Sequence, residues 1–447
     1  MADFDNQIGK YRRDALKIIW QAIESVNPEN AVNKHFRLQY ENLIIDDRKV
    51  NIADFKNIYV IGAGKASTQM AKTIENILMK RLTGGLICTK TGHGIPLHNI
   101  NVMEASHPIP DKNSQLAAQR AIQLVSKCEK EDLIICAISG GASALWCAPF
   151  PPLTFEDKVK TTEALLKSGA DIHEINALRK HISNIKGGRL AQAAHPATMI
   201  TLAISDVVGD EISSIGSGPT VGDTTTFKQA FNVLEKYKLA RQMPTSILDH
   251  IWGGFKKTIK ETPRTTDAIF SKNVASIIAS NSQALDTAME TGRYLGYKTY
   301  ILSSQTTGEA SAVGIKQVEK LKEMAKSHRP GDQPIMLLAG GETTVTIKGT
   351  GKGGRNQELV LAAATALNGL GNAVIASVGT DGTDGATDAA GAFADSTTLT
   401  RGQEAGLDAQ NFLDNNNSYE YFNRIGDLIK TGPTGTNVMD IQVLIYG

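Results

Sequence analysis

The chain has 447 residues, 41% hydrophobic and 21% charged, and its 47 Lys and Arg nearly balance 46 Asp and Glu for a net charge of +1. That length exceeds one ordinary core and predicts two or three domains of globular composition. The balanced charge argues against a nucleic-acid-binding surface, which carries a basic patch or a high pI. Cys88, Cys128, Cys136 and Cys147 show no C-x-x-C spacing, so neither a zinc site nor a disulfide framework is expected. The start, Met1 to Asp5, lacks a basic region followed by an apolar run, and no window of 18 apolar residues occurs. The expectation is therefore no signal peptide, no membrane span and a cytoplasmic location.

In chain order, Ile58–Ile61 reads as a buried strand. After Gly62-Ala63-Gly64 the apolar residues Ala66, Met70, Ile74, Ile77 and Leu78 share one helical face. Strands follow at Leu86–Cys88, Val102–Met103, Leu133–Ile138 and Met199–Ile204, with a helix over Leu116–Val125 and helices dominating Phe155–Leu190. Strand, glycine turn, helix, strand predicts a largely parallel α/β sheet covered by helices. The segment from about Asp223 to Ser271 is polar and helical and reads as a connection. A second series then runs: strand 274–278, helix 282–291, strand 299–302, helix 309–324, strands 335–338 and 344–347, helix 357–367, strand 374–378, helix 418–428 and strand 442–446. No internal repeat is evident.

Open α/β sheets bind ligands at the carboxyl ends of their strands, so the turns after Ile61, Ile138, Ile204, Leu338 and Val378 are the places to look. The turn Gly62 to Ser67 is not a P-loop, because Tyr59 stands at the first glycine position and Ala66 at the Ser/Thr position. It is also a poor dinucleotide fingerprint: Ser67 replaces the third glycine, and Thr89-Lys90-Thr91 follows the next strand where an acid is required. It reads either as a tight turn with a solvated lysine or as a phosphate- or carboxylate-holding loop, with Gly62, Gly64 and the point charge of Lys65. The turn Ser139-Gly140-Gly141-Ala142-Ser143 offers amides and hydroxyls to phosphate oxygens; without G-x-S-x-G it is no nucleophile elbow. Asp206 and Asp210 place two carboxylates at a strand end, suited to Mg²⁺ or to a hydroxyl, or simply to capping and turn formation. Asp381 and Asp384 form a second acidic turn without the twelfth-position glutamate of a calcium loop.

His107-Pro108-Ile109-Pro110-Asp111 reads as a rigid turn. The run Asn176 to Arg189 is locally basic, with Arg179, Lys186 and Arg189 able to face a cleft or solvent. The glycine loop from Gly349 to Gly354, followed by Arg355, Asn356, Gln357 and Glu358, is the densest signal. Gly353 and Gly354 would let backbone amides approach a ligand, the helix starting there would aim its N-terminus at it, and Arg355 would add a forked cation suited to an anion.

In this order, Gly62-Ala63-Gly64-Lys65-Ala66, Ser106-His107-Pro108, Ile138 to Ser143, Asn176 to Arg179, Lys186 to Leu190, Ser205 to Asp210 and Gly216 to Thr220 resemble the glycerate 2-kinase family. Gly340-Gly341-Glu342, Gly353 to Glu358, Gly379 to Gly385 and Gly432 to Asn437 resemble its C-terminal MOFRL domain. The resemblance spans the chain from about Arg13 to the end. It implies transfer of phosphoryl from ATP to the 2-hydroxyl of D-glycerate with Mg²⁺ or another divalent cation. It further implies two α/β domains, with the active site in the cleft between them. Residues 1–240 would form a Rossmann-like domain, and residues 241–447 a second α/β domain with the MOFRL region at about 330–440. Lys65 and Arg355 would be the essential cationic pair. On chemical grounds, Asp206 joins them as a catalytic candidate. Gly62, Gly64, Ser139, Gly140, Gly141, Ser143, Arg179, Lys186, Arg189, Gly353, Gly354, Asn356 and Glu358 become binding candidates, and Asp206, Asp210, Asp381 and Asp384 metal candidates. The expected partners are small molecules, with no nucleic acid and no membrane, in a monomer or homodimer. The rival readings are a hydroxypyruvate reductase, which needs a nicotinamide site, and a non-catalytic sugar-acid binding protein.

Overall fold

A computed structural model describes residues 2–367 and 369–447. Residue contacts divide it into two compact units, one of Ala31–Ile278 and one of Met1–Asn30 with Ala279–Gly447. The first unit begins with a small antiparallel sheet of β1 (Phe36–Gln39), β2 (Asn42–Ile45) and β3 (Arg48–Asn51). Its main sheet contains β4 (Asn57–Ala63), β5 (Gly84–Lys90), β6 (Ile100–Ala105), β7 (Asp132–Ile138), β8 (Thr198–Ile204) and β9 (Val274–Ala279). The order is β6-β5-β4-β7-β8-β9. The β6–β5, β5–β4, β4–β7 and β7–β8 pairs are all parallel. Every residue of β7 is buried, as a strand covered on both faces must be, which explains its unbroken apolar run. Counted from β4, this is the 3-2-1-4-5-6 order of Rossmann-like sheets, whose direction of winding reverses between the first and fourth strands, here β4 and β7.

The sequence suggests a boundary near residue 240, whereas contacts place the division after Ile278 and join the first helix to the C-terminal half. The helices Phe227–Lys236 and Thr245–Phe255, read from sequence as a connection, share a core with the helices Phe155–Lys167 and Ile172–His181 through Phe227, Ile251, Leu165 and Leu178. Thr154, Asp171 and Thr226 each start one of these helices with a reciprocal capping box, satisfying amides that would otherwise lack partners.

The second unit is a mixed sheet of β10 (Lys298–Thr306), β11 (Ile335–Gly341), β12 (Ala373–Gly379), β13 (Gly391–Asp395), β14 (Leu428–Ile429) and β15 (Asp440–Tyr446), in the order β10-β11-β15-β12-β13-β14. The last strand inserts antiparallel between β11 and β12. This puts Asp440, its first residue, opposite Gly341 and Gly379, the final residues of both neighbours. The strand expected at 344–347 does not form. Thr344 makes an isolated bridge to Glu309, and the Glu309 carboxylate accepts from the N–H and hydroxyl of Thr346, occupying positions a ladder would need.

The N-terminal helix Ala2–Ser25 is fixed to this unit by Arg12, which donates to Asp395 Oδ2 at 2.8 Å and to both oxygens of Asp427 at 2.7 and 2.9 Å. Both carboxylates are 2% exposed. Arg12→Ala would leave them buried with only Arg401 as a counter-charge. Denaturant unfolding should show a loss of about 3–5 kcal/mol, the range for breaking a buried pair. Lys10→Ala, which removes a half-exposed surface pair, should cost roughly 1 kcal/mol or less.

Candidate active site

In the first unit the turns after β4 and β7 meet at the reversal point of the sheet. Lys65 N–H donates to Gly140 O at 2.9 Å, Ala66 N–H to Ser139 Oγ at 3.0 Å, and Ser139 N–H to Ala63 O at 3.2 Å. The glycines permit this contact. A Cβ on Gly62 would strike Ala137 O, one on Gly64 would strike Ser139, and one on Gly140 would strike the Asp206 carboxylate. Ser67, in the third-glycine position of a dinucleotide turn, is buried and donates to Ala137 O at 3.0 Å. Gly62, Gly64 and Gly140 are therefore required by the protein's own packing, which brings Lys65, Ser139 and Asp206 together.

Burial pushes the Asp206 carboxyl above its ordinary pKa, with its own N–H and the Lys65 charge opposing. The His107 ring lies against Gly141. Burial, then the charges of Lys65, Lys90 and His93, push His107 down to about 4, so it is a neutral imidazole at pH 7. The sequence reading treated His107 as part of a rigid turn. Its place beside Gly141 and Lys65 becomes visible only when β6 lies two strands from β4.

Next to this cluster is a pocket of about 220 Å³ lined by His107, Gly141, Ser143, Lys158, Arg179 and Lys186, among others. Lys186 is 2% exposed; its Nζ donates to Ser143 O at 2.8 Å and to Ser143 Oγ at 2.7 Å. Burial, reinforced by the charges of Lys158 and Arg179, pulls its pKa well down. Ser143 Oγ lies 3.1 Å from Ser217 Oγ, which donates to Asn176 Oδ1 at 3.1 Å. The turns Lys186 to Arg189 and Gly216 to Thr220 are joined through Gly187 N–H to Ser217 O and Gly188 N–H to Gly218 O. Lys158 was missed by the sequence reading because it sits in an amphipathic helix like any solvated lysine. Arg189 stacks 4.4 Å over the Phe150 ring, its Nε and Nη2 lack partners, and burial lowers it to about 10. Asp210 adopts a φ of 54°, and its buried Oδ1 also lacks a partner.

In the second unit, Arg355 opens the helix Arg355–Leu367 and grips Asp440 with two bonds, Nε to Oδ2 at 2.6 Å and Nη2 to Oδ1 at 2.8 Å, with Glu342 3.2 Å from Nη1. Burial lowers the Arg355 pKa, but the Asp440 bonds and charge more than offset this, and the net shift is upward. Asn356 Nδ2 bridges Asp440 and Asp384 at 3.0 and 3.2 Å.

The anion at this helix N-terminus is Asp384, whose two oxygens accept from the N–H groups of Asn356 and Gln357 at 3.0 and 2.9 Å. Burial raises Asp384 to about 6 against those bonds. In the glycine loop, the five amides before Gly353 and Gly354 are engaged internally. Those of Lys348 and Gly349 donate to Asn416 Oδ1, that of Thr350 to Asn415 Oδ1, that of Gly351 to Asn415 O and that of Lys352 to Asn417 Oδ1. Gly353 and Gly354 give room to Ser418 and Asp384, Glu358 accepts from Asn416 Nδ2 at 3.0 Å, and Asp381 accepts from Thr383. Among the described residues no group of three or more His, Cys, Asp or Glu is arranged to hold a metal ion. No described helix is long and apolar enough to cross a membrane.

The DUF4147 family model, a domain of unknown function, matches residues 14–252, and the MOFRL family model matches residues 335–440. Over 436 residues the chain is 42% identical to the glycerate 2-kinase of Pyrococcus horikoshii, covering 97% of each. The chain belongs to the glycerate kinase family, and is thus a phosphotransferase. It is 36% identical over 430 residues to the D-glycerate 2-kinase of Thermotoga maritima, covering 96% of this chain and 97% of that one. The crystal structure of a Thermotoga maritima glycerate kinase aligns with a TM-score of 0.86 at 35% identity, covering 98% of this chain and 100% of that one. An Agrobacterium vitis relative, 41% identical over 390 residues (87% of this chain and 99% of its own), is named a putative hydroxypyruvate reductase.

Asn416→Ala removes the acceptor of two loop amides and a partner of Glu358. It should destabilise the unit by about 0.5–1.5 kcal/mol, the net worth of ordinary hydrogen bonds, because these are exposed or only partly buried. Hydrogen exchange should accelerate at Lys348 and Gly349 while the amides of Asn356 and Gln357, held by Asp384, stay protected.

Proposed function

We propose that this glycerate kinase family member transfers the γ-phosphoryl group of ATP to the 2-hydroxyl of D-glycerate, giving 2-phospho-D-glycerate and ADP. The observation that carries the reading is the meeting of Lys65, His107, Ser139 and Asp206 at the reversal point of a parallel sheet, beside a small pocket rich in cations, in a chain of this family. Phosphoryl transfer depends on positioning and charge neutralisation more than on covalent chemistry. Asp206, a carboxylate held against Gly140 and raised in basicity by burial, accepts the hydroxyl proton as the oxygen attacks phosphorus and the bond to ADP breaks. Lys65 neutralises the moving group, and the hydroxyls of Ser139 and Ser143 with Arg179 and Lys186 orient substrate. Arg355, held in one orientation by Asp440, is the second essential cation.

The divalent cation fits Asp210 better than Asp384. Asp210 keeps a buried oxygen without a partner, whereas both oxygens of Asp384 are taken by amides. Mg²⁺ asks for only one or two carboxylates beside phosphate oxygens and water, and it would neutralise the transferring phosphate. A nicotinamide reaction is disfavoured by the buried Ser67 and by Lys90 at the end of β5, where a ribose-binding acid belongs.

The deciding experiment is ³¹P NMR of the purified protein with ATP, Mg²⁺ and D-glycerate, with a parallel assay of NADH and hydroxypyruvate. A 2-phosphoglycerate resonance without NADH oxidation is expected; a 3-phosphoglycerate resonance overturns the regiochemistry, and NADH oxidation alone overturns the kinase. Lys65→Ala should lower kcat on the order of 10²–10³-fold, as for loss of one preorganised charge, with an unchanged Tm. Arg355→Ala should lower kcat by about the same factor. It should also lose about 3–5 kcal/mol of stability, because the buried Asp440 loses its counter-charge and keeps only the Asn356 bond. Asp206→Asn should abolish the rate with folding intact; full activity in that variant would remove Asp206 from the mechanism.

A further inference from the structure

The first unit holds a charge imbalance for which the reaction scheme names no substrate group. Three cationic side chains line one pocket of about 220 Å³, Lys158, Arg179 and Lys186. Lys158 and Lys186 are 3% and 2% exposed. The Lys158 ammonium donates to Ala148 O at 3.0 Å, and Lys186 reaches only the hydroxyl and carbonyl of Ser143 and, at 3.5 Å, the carbonyl of Gly216. The Arg179 guanidinium makes no hydrogen bond or ion pair with a described residue.

Among the described residues no carboxylate answers any of the three, although the same unit neutralises the buried Lys180 with Asp223 at 3.1 Å. Buried charges are ordinarily paired, because an isolated one is costly to desolvate. Burial accordingly lowers Lys158 to about 8 and pulls Lys186 well down, each also repelled by Arg179. A bound anion would relieve all three at once. The remaining walls include Pro108, Pro110 and Leu166, which offer apolar contact and no hydrogen-bond donors. The volume lies below the roughly 300–1,000 Å³ of sites for drug-sized ligands, which suits a three-carbon acid and is small for a nucleotide.

We propose that Lys158, Arg179 and Lys186 seat the carboxylate of the acceptor substrate, so that this pocket selects hydroxy acids over neutral polyols. The assignment rests on the kinase reading above and names the end of glycerate that the pocket holds. With the carboxylate there, the substrate hydroxyls extend past Ser143 and Gly141 toward Lys65 and Asp206. Lys158 thereby becomes a specificity-determining residue.

The test titrates D-glycerate, glycerol and inorganic phosphate separately into the full chain by calorimetry, with steady-state kinetics for both substrates. The variants are Arg179→Gln, at a partly exposed position, and Lys158→Met, at a buried one whose fold is checked by Tm. Wild type should bind D-glycerate and not glycerol. Each variant should weaken D-glycerate binding and raise its KM at least ten-fold while leaving the KM for ATP unchanged. A raised KM for ATP or lost phosphate binding, with D-glycerate binding intact, would make this a phosphate seat and overturn the proposal. Normal glycerate binding in a folded Arg179→Gln variant would overturn it while the kinase reading stands. If wild type phosphorylates nothing but Arg179→Gln still abolishes D-glycerate binding, the pocket assignment holds and the kinase reading falls.

Discussion

The meeting of the β4 and β7 turns is the constraint on which the candidate site depends. Three hydrogen bonds join the turns, and they approach so closely that Gly62 and Gly64 have no room for a Cβ, while at Gly140 the Asp206 carboxylate takes that room. Sheet order supplies the reason for the meeting, because helices leave in opposite directions from β4 and β7 and expose a crevice at their carboxyl ends. Everything reactive in this unit is referred to that contact. Lys65 leaves from one turn, Ser139 and Ser143 from the other, His107 covers Gly141, and Asp206 rests on Gly140. A methyl group at Gly140 would displace the carboxylate and not merely strain the turn, so glycine here positions chemistry by its lack of volume.

The two units treat charge differently. Arg355 sits in a closed network in which Asp440, Glu342 and Asn356 satisfy or restrain it, and Asp384 occupies the adjacent helix N-terminus. An arginine so held is preorganised: its fork cannot turn to follow a ligand, and its positive charge is partly spent. Lys158, Arg179 and Lys186 have no acid beside them and carry an unsatisfied demand for an anion. The first arrangement suits a cation that must be in one place when charge develops; the second suits a cation waiting to bind.

Much of the fold was readable from sequence. The apolar run of β7, the period of the helix Ser67–Leu78 and the glycine turns at strand ends all follow from local physics, and each lies where expected. The insertion of β15 between β11 and β12 was not readable, because an isolated apolar run does not say which neighbours it joins. The small sheet β1–β3 and the strand β13 carry weak alternation and escaped notice. For the site, residue types at strand ends were legible and their environments were not. Lys158 looks solvated until the helix Phe155–Lys167 is packed, and Asp384 looks like a metal ligand until the helix amides reach it.

The glycine loop from Gly349 to Gly354 shows why density of glycine is an incomplete guide. Glycine reports that something approaches the backbone closely, without saying what. Here the visitor along the first part of the loop is the chain itself: Asn415, Asn416 and Asn417, more than 60 positions away, take the amides from Lys348 to Lys352. The same reading at Gly64 and Gly140 finds Ser139 and Asp206 in the space beside the backbone. A backbone donor already satisfied by the fold has little left to give a phosphate, since exchanging one good hydrogen bond for another gains little. Groups the fold leaves unsatisfied are the better indicator, because a folded protein keeps a buried polar group unpaired only at a cost of about 1–3 kcal/mol. By that criterion the first unit points, among others, to the guanidinium of Arg189 and to the buried oxygen of Asp210, and an anion and a cation are what the proposed phosphoryl transfer to a hydroxy acid would bring.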